Sequence, residues 1–234
     1  FKKTAPAFYA TALLALDCMH FTQTRIATID TFVVLFIMAM YLCMLRWTQM
    51  SFHHQKLSRT FVPLALSGVF MSLAIASKWT GLYAAVGLAA IFFARLYGLW
   101  RQAQWARAHE SEDPRYREIA DAFPRRAGLT ILLCCVFFVV LPVVAYCLCY
   151  IPQLAPDGPV TLQRIWELQQ TMFGYHSGLG DDDHFFRSPW WQWPLILKPM
   201  WYYDAPFKAA GTASVIYAMG NPAVWWVGLA ALLY

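Results

Sequence analysis

The chain has 234 residues, of which 59% are hydrophobic and only 13% charged, and its mean hydropathy is +0.44. That balance excludes an ordinary soluble domain and points to an all-α polytopic membrane protein. The net charge of +5 does not call for nucleic acid, because the basic residues have a simpler use in setting membrane orientation.

A bilayer core of about 30 Å needs roughly 20 apolar helical residues. On that measure the chain holds spans near 5–20, 27–45, 61–77, 80–98 and 127–150, with a sixth opening near 223 and running to 234. The first two are joined by a polar turn around Phe21–Arg25, the third and fourth by Ser77-Lys78-Trp79-Thr80. Alternate connections carry the positive charge. Lys2, Lys3, Arg46, Lys56, Arg59, Arg95, Arg101, Arg107, Arg115, Arg117, Arg125 and Arg126 fall on one side, and Arg25, Lys78, Arg164, Arg187, Lys198 and Lys208 on the other. The richer side is expected to be cytoplasmic, which turns both short polar turns and the loop 151–222 outward.

Residues 99–126, with charges of both signs and one Pro-bounded helical piece, read as a solvated cytoplasmic connector, with a docking role as the alternative. Pro142 should kink the span 127–150 without ending it, since bundle neighbours satisfy the freed carbonyl. The loop 151–222 is too long for a mere link. Its opening, VTLQRIWELQQTMF, places Leu162, Ile165, Trp166, Leu168, Met172 and Phe173 near helical spacing, the pattern of an amphipathic helix lying on a membrane surface. SPWWQWPLILKPMWYY then gathers Trp190, Trp191, Trp193, Trp201, Tyr202 and Tyr203 among prolines, rings that settle at headgroup level. The chain opens on Phe1 and closes inside the apolar run AVWWVGLAALLY, and is read as an internal piece of a longer protein.

The six cysteines lie in or beside apolar segments and form neither a disulfide framework nor a zinc-ligand spacing. Ionisable residues inside a membrane protein are functional candidates by default. Asp17 and His20 are three apart and share a helix face, with Arg25 and Asp30 on the returning helix. These four are either a salt-bridge network holding the turn or part of a site. Lys78 at the other outward turn favours the site: cations meeting at one membrane face suit an anion at headgroup level, above all a phosphate. His176 and His184, in GYHSGLGDDDH, are either phosphate-binding or interfacial residues. Asp181, Asp182 and Asp183 read equally as a solvated Gly-Asp turn or, as a minor reading, a divalent-cation cluster, so no metal ligand is assigned. Trp190, Trp193 and Tyr202 can form a platform for lipid or sugar.

Taken together and in order, ALDCMHFTQTRIATIDTF, ASKWTGLY, YHSGL, HFFRSPWWQWPL, KPMWYY and GNPAVWW resemble the protein O-mannosyltransferases, membrane enzymes of the GT-C glycosyltransferase class. The likeness covers nearly the whole chain. It implies a GT-C-like transmembrane helix bundle with a partly helical extracytoplasmic loop. It also implies inverting transfer of mannose, or a related hexose, from a polyprenyl-phosphate donor to Ser or Thr of a secreted or membrane protein. The enzyme would sit in the cell membrane with its active site on the extracytoplasmic face, and a dimer is compatible with the family. Under that resemblance Arg25, Lys78, His176 and His184 bind the lipid phosphate, with Asp17 and His20 supporting. Arg25 and Asp30 are the catalytic-site residues, Asp30 orienting Arg25 or bordering the sugar pocket. The family's base is an Asp of the first outward loop, upstream of the segment matching Phe1, and Asp30 is not that base. No resident cofactor is implied.

Two departures bear on specificity. Family members often read THPYSS where this chain has DDHFFRS at Asp182–Ser188, and no soluble carbohydrate-recognition insert lies between Pro152 and Pro222, which favours a bacterial relative. The alternatives are a GT-C enzyme that modifies lipid or glycan, a multi-pass transporter, or a scaffold without chemistry. A transporter would put its ionisable groups near the midplane rather than at one face.

Overall fold

A computed structural model of the chain describes residues 3–178, 186–205, 209 and 211–234. These fall into two compact units, Ile29–Thr171 and Phe1–Thr28 with Met172–Tyr234.

The larger unit is a helix bundle. Helices α3 (Asp30–Thr48), α4 (Leu57–Ser77) and α5 (Thr80–Ala108), and the helical run Pro114–Asp157, are each long and apolar enough to cross a membrane. That run comprises α6 (Pro114–Cys135), a π-helical turn (Val136–Val140), α7 (Leu141–Cys149) and α8 (Ile151–Leu154), and ends in a 3₁₀ turn. Asp113 caps α6 by accepting the Arg115 N–H at 2.9 Å, and Pro114 occupies its first turn, where no N–H is needed. Pro142 does not end the helix. The wider π turn just before it takes up the carbonyls that its ring displaces.

The bundle is held by Met40, Met44, Leu64, Leu88 and Leu99, all fully buried, with Trp47 stacked on Phe92 at 5.2 Å. Small residues let α4 approach its neighbours closely. At Gly68 an added Cβ would strike the Phe137 carbonyl, and Ser67 Oγ, itself buried, donates to the Met40 carbonyl at 2.9 Å. The outward faces are equally apolar. Leu35, Leu42, Val86, Phe93 and Val139 stand exposed, an arrangement suited to hydrocarbon rather than water. The chain is an all-α polytopic membrane protein.

Three features depart from the sequence reading. The expected span 5–20 is two helices, α1 (Thr4–Ala15) and α2 (Cys18–Arg25), because Asp17 leaves the helical conformation to cap α2. α5 continues to Ala108 and α6 opens at Pro114, so much more of 99–126 is helical than the one Pro-bounded piece expected. In the smaller unit, β1 (Met200–Asp204) pairs antiparallel with β2 (Val215–Ala218), with a register shift between Trp201 and Tyr203. The aromatic and β-branched residues there suit a ribbon, although prolines and glycines nearby mask the pattern. α9 (Leu162–Gly178) forms where the amphipathic spacing foretold it. α10 (Gln192–Leu195) and α11 (Pro222–Leu233) complete the elements.

Candidate functional site

In the larger unit, Lys78 and Asp30 come together. α3 begins at Asp30, α4 ends at Ser77, and the two-residue break before α5 turns Lys78 Nζ onto Asp30 Oδ1 at 2.7 Å. Both side chains are nearly half exposed, 43% for Lys78 and 46% for Asp30, so the pair leaves one side of the ammonium uncovered. Beside it Trp79 Nε1 donates to Tyr146 Oη at 2.8 Å, and Tyr146 donates to Gln169 Oε1 at 2.6 Å, with Tyr150 Oη 2.9 Å away. This chain of partners ties the turn after Lys78 to α7 and α9. It anchors the turn that carries the lysine.

In the smaller unit, Asp17 is a structural residue. It is only 6% exposed and accepts three donors: the His20 N–H at 3.1 Å, the Asn221 N–H at 2.9 Å and Trp225 Nε1 at 3.0 Å. It therefore caps α2 and clamps the entry to α11. Its relation to His20 is through the backbone, not across a helix face. Gly220 permits this clamp, since a Cβ there would run into the Trp225 indole.

Trp193 and Tyr202, expected as platform residues, line one cleft with Met19, Gln23, Ile196 and Lys198. Gln23 Nε2 donates to Tyr202 Oη, and Lys198 Nζ donates to the Arg187 carbonyl at 2.7 Å while lying 5.4 Å from the Phe186 ring. Ile196 takes φ 55°, a left-handed conformation costly for a β-branched residue, and caps α10 beside Trp193. Trp190 is 82% exposed and does not line this cleft.

Arg25 closes α2 and lies over the Phe21 ring at 4.4 Å. His176 sits in the last turn of α9 against Tyr175. His184 and Asp181–Asp183 lie outside the described residues. Among the described residues no group of three His, Cys, Asp or Glu converges as a metal site. Sequence reasoning counted Lys198 as an outward cation and gave Gln23 no role.

The comparisons with known proteins agree with these motifs. The family described as dolichyl-phosphate-mannose-protein mannosyltransferase matches residues 2–156, and that described as the C-terminal four TMM region of protein-O-mannosyltransferase matches residues 161–234. A polyprenol-phosphate-mannose–protein mannosyltransferase of Mycolicibacterium smegmatis is 23% identical over 99% of this chain and 50% of its own length. One of Corynebacterium glutamicum is 24% identical over the same shares, 99% and 50%. A protein O-mannosyl-transferase 2 of Danio rerio is 32% identical over 34% of this chain and 10% of its own length. The chain thus spans about half the length of the bacterial relatives it matches. No solved structure matches it. With two matched regions that together cover nearly all of its residues, the chain belongs to the protein O-mannosyltransferase family.

Proposed function

We propose that the full-length protein transfers mannose from a polyprenyl-phosphate carrier to Ser or Thr hydroxyls of exported proteins, with inversion at the sugar carbon. The observation that carries this reading is the half-exposed Lys78 ammonium, oriented by Asp30 at the mouth of the bundle in a chain of this family.

In the reaction a carboxylate base takes the acceptor proton, the hydroxyl oxygen attacks the anomeric carbon, and the carbon–oxygen bond to phosphate breaks. The electron pair leaves with the lipid phosphate, which gains a negative charge. A fixed cation at that oxygen stabilises the transition state more than the ground state. Lys78 takes this role; the family resemblance, and not the geometry, adds Arg25, His176 and His184 as phosphate-binding candidates. Asp30 is a positioning residue for Lys78 and not the base. The base that the reading requires is assigned to no residue of 1–234. Trp193 and Tyr202 are candidates, by the family resemblance, for aromatic contacts to the sugar or the carrier. The site lies on the extracytoplasmic face of the cell membrane.

Purified full-length protein supplied with polyprenyl-phosphate-mannose and a Ser/Thr acceptor peptide tests the reading. Lys78→Ala and Arg25→Ala should each lower transfer by roughly 10²-fold. Undiminished transfer in both variants would end the phosphate-binding assignment, and transfer to glycan or lipid but never to peptide would move the protein to another acceptor class.

A further inference from the structure

The opposite end of the same bundle from Lys78 holds a cationic cleft. It has a volume of about 500 Å³ and lies between the loop joining α3 to α4, the C-terminal part of α5 and the first turns of α6. Arg95, Arg101, His53, His54, Gln102 and Tyr116 supply its polar lining, and no Asp or Glu lines it. Among the described residues neither arginine has an acidic partner. Of the acidic residues at this end, Asp113 pairs with Arg115 at 2.6 Å and Asp121 with Arg107 at 2.6 Å, and Glu110, Glu112 and Glu118 do not line the cleft.

The loop is built onto the bundle. Arg126 donates from both terminal nitrogens to the Gln55 carbonyl at 3.1 Å, and Phe52 and His53 pack against Phe123. His53 records the local potential. Both its ring nitrogens are closed off from solvent without partners, and burial first, then Arg126, His54 and Arg95, push its pKa below the ordinary histidine value. Positive charge is gathered here with no carboxylate in the cleft lining.

From the arginine pair and the absence of any acid in the lining, we infer that the cleft binds a phosphate anion, presented as the headgroup of an anionic membrane lipid. The rings beside it distinguish a lipid from a soluble ion. Tyr97, Trp100 and Trp105 stand exposed on α5 at the level of Arg95 and Arg101, the aromatic belt of a membrane–water interface. Basic pockets between helices at such a level suit phospholipid headgroups, and the Trp105 and Tyr116 rings, 5.1 Å apart, wall the cleft on one side. This site is separate from the proposed donor site, so either can fail without the other.

The test uses the purified full-length protein in neutral detergent, carrying Lys78→Ala so that headgroups at the other end are not counted. It is titrated with phosphatidylglycerol, phosphatidylcholine or inorganic phosphate and read by native mass spectrometry and calorimetry. Phosphatidylglycerol should bind in preference to phosphatidylcholine. Arg101→Gln should weaken it ~5-fold and Arg95→Gln with Arg101→Gln ~25-fold, while Arg95→Lys retains most binding. Arg115→Gln, outside the cleft, should leave binding unchanged. Because Arg101 is exposed on the helix surface, its variant alone carries the test if the double variant does not fold. Equal losses in Arg115→Gln, or none in Arg101→Gln, would overturn the site. Binding of inorganic phosphate with no lipid preference would keep the phosphate chemistry and overturn the lipid source.

Discussion

Lys78 Nζ stands 2.7 Å from Asp30 Oδ1, joining residues 48 positions apart at one mouth of the bundle. A pair this exposed contributes only about 0.2–1 kcal/mol to stability. Asp30→Asn should therefore leave the unfolding midpoint of the purified protein nearly unchanged. Its transfer rate should nonetheless fall roughly tenfold, because the ammonium loses its orientation. A parallel fall in both quantities, measured by thermal unfolding and by transfer kinetics, would make Asp30 a structural residue only.

Asp17 should behave in the opposite way. Three donors, two of them on a segment more than 200 positions distant, depend on one buried carboxylate. Asp17→Ala strands them and should cost about 2–4 kcal/mol, seen as a lowered unfolding midpoint and as protease cleavage near residues 219–225.

Gly68→Ala tests the close approach of α4 to the π turn. The added methyl meets backbone, at the Phe137 carbonyl, rather than a movable side chain. Overpacking of that kind costs about 1–3 kcal/mol, whereas Gly98→Ala, with open space around its Cβ position, should be neutral or slightly stabilising by helix propensity.

His53 gives a pH dependence. Its folded-state pKa is held below the unfolded value by burial and by the neighbouring Arg126, His54 and Arg95. The unfolded chain therefore binds the proton more readily. Stability is fully present above the ordinary histidine pKa of about 6.5 and is lost as pH falls below it. Unfolding midpoints compared at pH 7.5 and 5.5 should drop more for the natural protein than for His53→Gln, and equal drops would remove His53 as the cause.

The amino-acid sequence by itself determined the solvent of this protein. Runs such as Phe32–Leu45 and Phe61–Ala76 have no stable place but hydrocarbon or a core, and a chain this size has no core large enough for them all. It also marked Arg25, Asp30, Lys78 and the Trp-Pro loop as unusual, because charge and paired rings in such a setting demand a partner. The ordered motifs carried the family. What the sequence left open was pairing. Asp17 and His20 have the spacing of a helix face, yet the local choice between continuing a helix and capping the next one is decided by Asn221 and Trp225, which periodicity does not see. Asp30 had Arg25 as its nearest cation along the chain. Only the packing of α3 on α4 brings Lys78 onto it, and only the packing of α5 and α6 against the α3–α4 loop gathers Arg95, Arg101 and His53 at the other end. Burial and period are properties of a segment and can be read along it. The partner of a charge is a property of the fold, since it depends on which segments the bundle makes neighbours.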